Sequence, residues 1–153
     1  MTVQNFNIYT ARGYAGDLCD NGPIVSITGV VEAATLEVGI AVKRGTVATN
    51  PKHVLLDADG GNIYGIVRRE LALEAKNRPS DGVVEFVKTE SASILRQGYI
   101  YVELTTTAAT AGDKLYVTAA GVFSGSTGTV TTNVTAEQSG AAGDIIKARI
   151  DIL

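Results

Sequence analysis

Apolar and polar residues alternate along the last ten positions of the chain, D-I-I-K-A-R-I-D-I-L. Ile146, Ala148, Ile150 and Ile152 fall on one side, and Lys147, Arg149 and Asp151 on the other. This two-residue period belongs to a half-buried strand. The same period runs through G-Y-I-Y-V-E-L, where Ile100, Val102 and Leu104 oppose Tyr99, Tyr101 and Glu103. Shorter runs follow suit: Leu115 and Val117 in K-L-Y-V-T, Ile40 and Val42 in G-I-A-V-K-R-G, and Val84 and Phe86 in G-V-V-E-F-V-K. In N-I-Y-G-I-V-R-R-E either Tyr64 and Ile66 or the reverse face turns inward, and I-V-S-I-T-G-V-V-E-A supplies the first convincing strand. Half-buried strands of this kind predict antiparallel sheets with one wet face.

Glycine marks the entries to several strands, in L-E-V-G-I-A-V, T-A-G-D-K-L-Y-V and A-A-G-D-I-I-K-A-R-I. A glycine there permits a left-handed turn residue, and Asp113 or Asp144 can bond the turn backbone. Turn signals recur in D-A-D-G-G-N (57–62) and R-P-S-D-G (78–82). Short strands separated by such turns predict an all-β fold, an antiparallel β-barrel or a jelly-roll-like sandwich. Two segments are less regular. R-R-E-L-A-L-E-A-K-N-R (68–78) is rich in helix formers, yet Leu71 and Leu73 continue the alternation of the preceding strand and no N-cap precedes them. A long strand running into a loop is the favoured reading, with a short helix as the alternative. Thr105–Thr135 holds ten threonines, and F-S-G-S-T-G-T-V-T-T-N-V-T-A-E-Q-S-G suits an exposed hairpin or a mobile loop.

The chain's 153 residues suit one domain, and 45% apolar against 19% charged residues predicts that most of them fold around a core. A net charge of −3 argues against direct nucleic-acid binding, which needs a dense field of Lys and Arg. The basic pairs Lys43-Arg44 and Arg68-Arg69 read as solvated. A single cysteine, Cys19, excludes an internal disulfide. The opening M-T-V-Q-N-F-N-I-Y-T has neither a basic n-region nor an apolar h-region, so no secretion signal is expected. No window has the length of a membrane span.

Candidate chemistry is sparse. A Ser-His-Asp or Cys-His arrangement would have to use His53, the only histidine, which reads as a hydrogen-bonded strand-edge residue. Zinc needs clustered Cys and His, and there is one of each. D-A-D-G-G-N begins like a calcium loop, but position 68 holds Arg where the loop needs Glu. Glu85, Glu90 and Glu103 carry no spacing that pairs any two as glycosidase carboxylates. G-Y-A-G lacks both the G-K-[ST] ending and the preceding strand of a phosphate loop. The expectation is a protein without enzymatic activity, metal or cofactor.

What remains is A-R-G-Y-A-G-D-L-C-D-N-G-P (11–23), ahead of the first strand. Residues 1–23 read as an N-terminal arm and 24–153 as a single β-barrel or sandwich domain. Phe6, Tyr9 and Tyr14 are aromatic anchors suited to burial against a partner, Arg12 suits an acidic patch, and Gly13 and Gly16 keep the path pliable. Extended, such an arm would span roughly 75 Å at ~3.3 Å per residue. The alternative is that the segment folds back on its own body.

The ordered set G-Y-A-G…D-N-G-P, L-E-V-G-I-A-V-K-R-G, I-Y-G-I-V-R-R-E, S-I-L-R-Q-G-Y-I-Y-V-E-L, A-G-D-K-L-Y-V and G-V-F resembles the structural cement (decoration) proteins of tailed bacteriophage capsids. The resemblance spans roughly residues 13 to 123 and a closing alternating strand. The 68–86 stretch is longer than the family pattern, and the Thr-rich 124–140 segment has no counterpart in it. The resemblance implies a virion protein on the outer capsid surface, made in the host cytoplasm. It would bridge neighbouring copies of the major capsid protein and self-associate as a dimer or trimer, with no membrane partner. Its partner-binding residues would be Phe6, Tyr9, Arg12, Gly13, Tyr14 and Gly16. The other readings are a head-completion or tail protein, and a β-sandwich binding module, for which the lack of Trp leaves few sugar platforms.

Overall fold

The computed structural model describes residues 13–19, 22–47, 50, 52–56, 63–70 and 84–152. The described residues form eleven strands: β1 (Val25–Val31), β2 (Thr35–Glu37), β3 (Ala41–Arg44), β4 (His53–Leu56), β5 (Gly65–Val67), β6 (Glu85–Val87), β7 (Ser91–Glu103), β8 (Lys114–Val117), β9 (Phe123–Ser124), β10 (Thr129–Ala136) and β11 (Ile145–Asp151). Nine make one sheet in the order β1-β4-β3-β5-β7-β11-β10-β8-β9, with β1 also pairing β7, and β2 and β6 form a separate ribbon. Pairing is antiparallel except between β1 and β4. The result is all-β and sandwich-like. Among the described residues the nine-stranded sheet as a whole does not close: its order ends at β9, while β1 returns to pair with β7.

The thirteen-residue β7 organises the molecule. Its first half pairs with β1 and β5, its second with β11. Against β1, Leu95 pairs with Ser26 and Gln97 with Val25, so the register skips Arg96. One extra residue in a strand reverses which side its later residues face. Ala92 and Ile94 accordingly enter one apolar core, with Val31, Leu36, Val42, Val54, Val67 and Phe86. Ile100, Val102 and Leu104, of the same parity, enter a second core with Leu115, Phe123, Val134, Ile146, Ala148 and Ile150. Leu95, just before the bulge, already belongs to the second core. Two cores therefore share one strand.

The alternation read from sequence matches these cores. Ile40, Val42, Ile66, Val84, Phe86, Leu115, Val117, Ile146, Ala148 and Ile150 are all buried. Ile152 packs half-buried at the edge of the second core.

The Thr-rich stretch needs correction. It is no exposed hairpin or mobile loop but contributes β9 and β10, with Phe123, Val134 and Ala136 in the core. Its polar residues are tolerated inside because their hydroxyls are satisfied. The buried Thr131 Oγ1 donates to the Leu115 carbonyl at 2.7 Å. The buried Ser124 Oγ lies 2.7 Å from Thr107 Oγ1 and accepts the Thr127 amide at 3.0 Å. The expected long strand at 68–78 ends early, at Val67. Arg68 to Glu70 leave the ladder while still bonding β7, through Arg68 N–H to Ser93 O at 2.8 Å and Ser93 N–H to Glu70 Oε1 at 3.1 Å. Positions 71–78, and the D-A-D-G-G-N turn, lie outside the described residues.

Candidate interaction surface

Y-A-G-D (14–17) is a closed turn. Asp17 N–H donates to the Tyr14 carbonyl at 3.0 Å, and Tyr14 N–H donates to Asp17 Oδ2 at 2.9 Å. T-A-G-D (110–113) and A-A-G-D (141–144) close identically, with Asp113 and Asp144 as the acceptors. The third residue of each turn has positive φ: Gly16 at 89°, Gly112 at 96° and Gly143 at 88°. That angle is costly for any residue with a Cβ, which explains the repeated A-G-D. The aspartate role expected at 113 and 144 is present, and the same device builds the segment first weighed as a phosphate loop. With the Tyr14 and Asp17 amides closing the turn and the Gly16 amide bonded to Tyr101 O, these three donors are committed.

The residues after the turn cover an open edge. Beyond Gln97, β11 takes one side of β7, and residues 16–19 take the other. Gly16 N–H donates to Tyr101 O at 2.8 Å, Tyr101 N–H to Asp17 O at 2.9 Å, and Cys19 N–H to Tyr99 O at 3.2 Å. Leu18 bridges antiparallel to Ile100 and packs against the second core. An uncovered strand edge would offer its backbone to other chains, and this segment occupies it. Gly13 lies flat on Tyr101, where a Cβ would come within 2.5 Å of the ring. The segment is tied to the first half of the molecule as well, by Arg69 N–H donating to Gly16 O at 2.9 Å.

Of the expected contact residues, the structure brings Gly13, Tyr14 and Gly16 together on this edge; Phe6, Tyr9 and Arg12 lie outside the described residues. The three described ones differ in role. Gly13 and Gly16 face the body, whereas Tyr14 is 63% exposed, with the Arg69 guanidinium 4.3 Å from its ring centroid. The described part of the arm therefore lies on the body and presents one aromatic ring outward.

Elsewhere the chemistry is structural. His53 is the first residue of β4, which lies between β1 and β3, and its Nδ1 sits 3.8 Å from Glu32 Oε2 without the hydrogen bond expected of it. Glu32 accepts both the amide and the hydroxyl of Thr46, and the hydroxyl bond holds its carboxyl below the ordinary glutamate range. A depression bordered by Pro23, Gly98, Tyr99 and Ile150 encloses about 190 Å³, below the ~300 Å³ at which small-molecule sites begin. Among the described residues no three His, Cys, Asp or Glu side chains gather where they could hold a metal, and no helix is long and apolar enough to cross a membrane.

Residues 2–151 match the family described as structural cement protein (E217 gp24/Pam3 gp6). The chain belongs to that family. It is thus a phage structural protein. No curated protein matches it. Among solved structures, the chain is similar to one from the capsid of Myoviridae phage XM1, at 16% identity over 98% of each chain with a TM-score of 0.70. It is also similar to the N base of the head fiber gp8.5 of bacteriophage phi29, at 11% identity over 84% of this chain and 95% of that one, TM-score 0.56. At these identities the likeness is one of fold.

Proposed function

We propose that this cement-family chain binds the outer surface of a phage capsid and bridges neighbouring copies of the major capsid protein, as a dimer or trimer. Family membership over residues 2–151 is the observation that carries the reading. The likeness to a chain from the phage XM1 capsid supports it at the level of fold. Binding only the assembled shell would stabilise it by mass action, about 2.7 kcal/mol per site at a hundredfold excess over Kd. Repeated over many sites, this opposes the pressure of packaged DNA.

In this reading residues 1–23 make the contact. Tyr14, exposed and stacked by Arg69, is its described anchor. Phe6 and Tyr9 would bury further aromatic area, and Arg12 would meet an acidic patch. Gly13 and Gly16 act indirectly, by holding the segment on β7. The likeness to a head-fiber base favours a second reading, a pedestal for another virion part. The test is co-sedimentation of the purified chain with particles stripped of it. Saturable binding at tens to hundreds of copies per particle supports the bridging role, about a dozen copies supports a pedestal, and no binding refutes both.

A further inference from the structure

The bulge in β7 has placed Arg96 in an unusual setting. Its guanidinium carbon lies 5.0 Å from the centroid of the Tyr64 ring, and that of Arg44, from the end of β3, lies 4.9 Å from the same centroid. Tyr64 precedes β5, which runs between β3 and β7, so three adjacent strands converge on one ring. Among the described residues no carboxylate pairs with either arginine. The Arg96 Nε is buried and has no hydrogen-bond acceptor. Two guanidinium groups gathered on one ring repel each other, and a buried N–H without an acceptor is costly. Bulges commonly serve to re-aim one side chain.

We infer that Arg44, Tyr64 and Arg96 form a docking site for a carboxylate-bearing segment of a protein partner. The ring holds both guanidinium planes by cation–π contact, which fixes their forks at low entropic cost. A carboxylate-bearing segment seated there accepts charge-assisted bonds from the guanidinium groups and offsets their mutual repulsion. Charge selects the occupant. The chain as a whole carries −3, and a polyphosphate backbone needs a broad basic field, not two arginines. An acidic peptide needs only a local pair. The inference rests on the capsid reading for who the partner is, with a shell protein supplying the acidic segment, but not for the site's chemistry.

Two measurements keep those claims apart. The chain has no Trp and six Tyr, so isotope labelling of tyrosine alone gives a small set of ring signals. Titrating the labelled full chain with a blocked hexapeptide of alternating Asp and Glu should move the Tyr64 signal. The shift should be lost in Arg44→Gln and restored in part by Arg44→Lys; Arg44 is exposed, so these variants should keep the wild-type circular dichroism spectrum. A shift that persists in Arg44→Gln, or no shift at Tyr64, overturns the site. So does a single-stranded oligonucleotide that moves Tyr64 at lower concentration than the peptide at equal salt. With stripped particles, Arg44→Gln and Arg96→Gln should each weaken binding about tenfold, a deficit that shrinks as salt rises. Wild-type binding to particles with no loss in either variant rejects the shell as the source of the acidic segment. Absence of wild-type binding rejects the capsid reading, and the peptide titration still decides the site.

Discussion

Ile150 offers the sharpest test of how the second core is held. It is fully buried in β11, opposite Val134 of β10 on one side and Gly98 of β7 on the other. Ile150→Ala removes three methylene-sized groups, each worth about 0.8 kcal/mol of transfer free energy. The cavity adds to this, because Gly98 has no side chain that could move into the space. The expected loss is about 3–4 kcal/mol, within the range of ~2–5 for buried aliphatic truncations. For a chain of this length that lowers the thermal midpoint by roughly 6–16 °C. Ile150→Val should cost only about 1 kcal/mol, and Ile150→Asp should cost more than Ala by leaving a charge unpaired. The control is Ile152→Ala, two residues on and half-buried. Midpoints from circular dichroism in one buffer decide it. If Ile150→Ala shifts the midpoint by less than about 2 °C, or no more than Ile152→Ala does, the placement of β11 between β7 and β10 is wrong.

Other outcomes follow from single contacts. Gly112→Ala should cost about 1–2 kcal/mol from positive φ alone, since nothing lies within 4 Å of the added Cβ. Gly16→Ala should cost more, because the Cβ would also meet Arg69 N at 3.0 Å; equal urea midpoints for the two would remove the crowding argument. Thr131→Val takes the hydroxyl from the Leu115 and Val134 carbonyls and should cost about 1–2 kcal/mol in the same assay. The Glu32 carboxyl, titrated by NMR, should ionise below the ordinary glutamate range, and Thr46→Val should raise it. Because the folded-state value is the lower one, the stabilisation from Glu32 is full above the unfolded value and is lost as pH falls through the folded one. The wild-type advantage over Thr46→Val should therefore shrink on acidification; an advantage independent of pH would contradict the assignment.

The strands were legible wherever alternation was long and one face stayed wet, as in β11 and the second half of β7. The bulge was not, because it sits at Arg96-Gln97, where I-L-R-Q-G contains no turn signal and the reversal of faces needs β1 as a reference. Even-numbered residues on both sides of it are buried, so sequence alone shows one continuous face where there are two cores. The burial of Ser124 and Thr131 has no local signal, because the Thr-rich segment around them is polar and the partners that satisfy them, Thr107 and Leu115, are distant in sequence. The repeated A-G-D was visible as text at 111–113 and 142–144. Its third copy, at 15–17, was read instead as part of a pliable arm, since no strand follows it directly. The Arg44–Tyr64–Arg96 convergence had no signal in sequence, as it depends on β5 lying between β3 and β7.

That docked segment sets the final prediction, in which fold and attachment part company at a definable residue. Residues 16–19 give β7 three backbone hydrogen bonds, and Leu18 adds apolar contact with the second core. At about 1 kcal/mol per bond and about 1–2 for the partly buried leucine, removing them should cost roughly 4–5 kcal/mol. It would also leave the far half of β7 with a bare edge, open to pairing with other chains. A chain lacking residues 1–12 keeps all of these contacts, and loses Phe6, Tyr9 and Arg12. Deleting 1–12 should therefore leave the thermal midpoint within about 2 °C of wild type while weakening binding to stripped particles. Deleting 1–19 should lower the midpoint by roughly 8–20 °C and promote association detectable by light scattering. Full particle occupancy by the chain without 1–12 would remove Phe6, Tyr9 and Arg12 from the contact and leave Tyr14 as the arm's described candidate on this edge. An unchanged midpoint without 1–19 would mean that β7 does not depend on the segment that borders it.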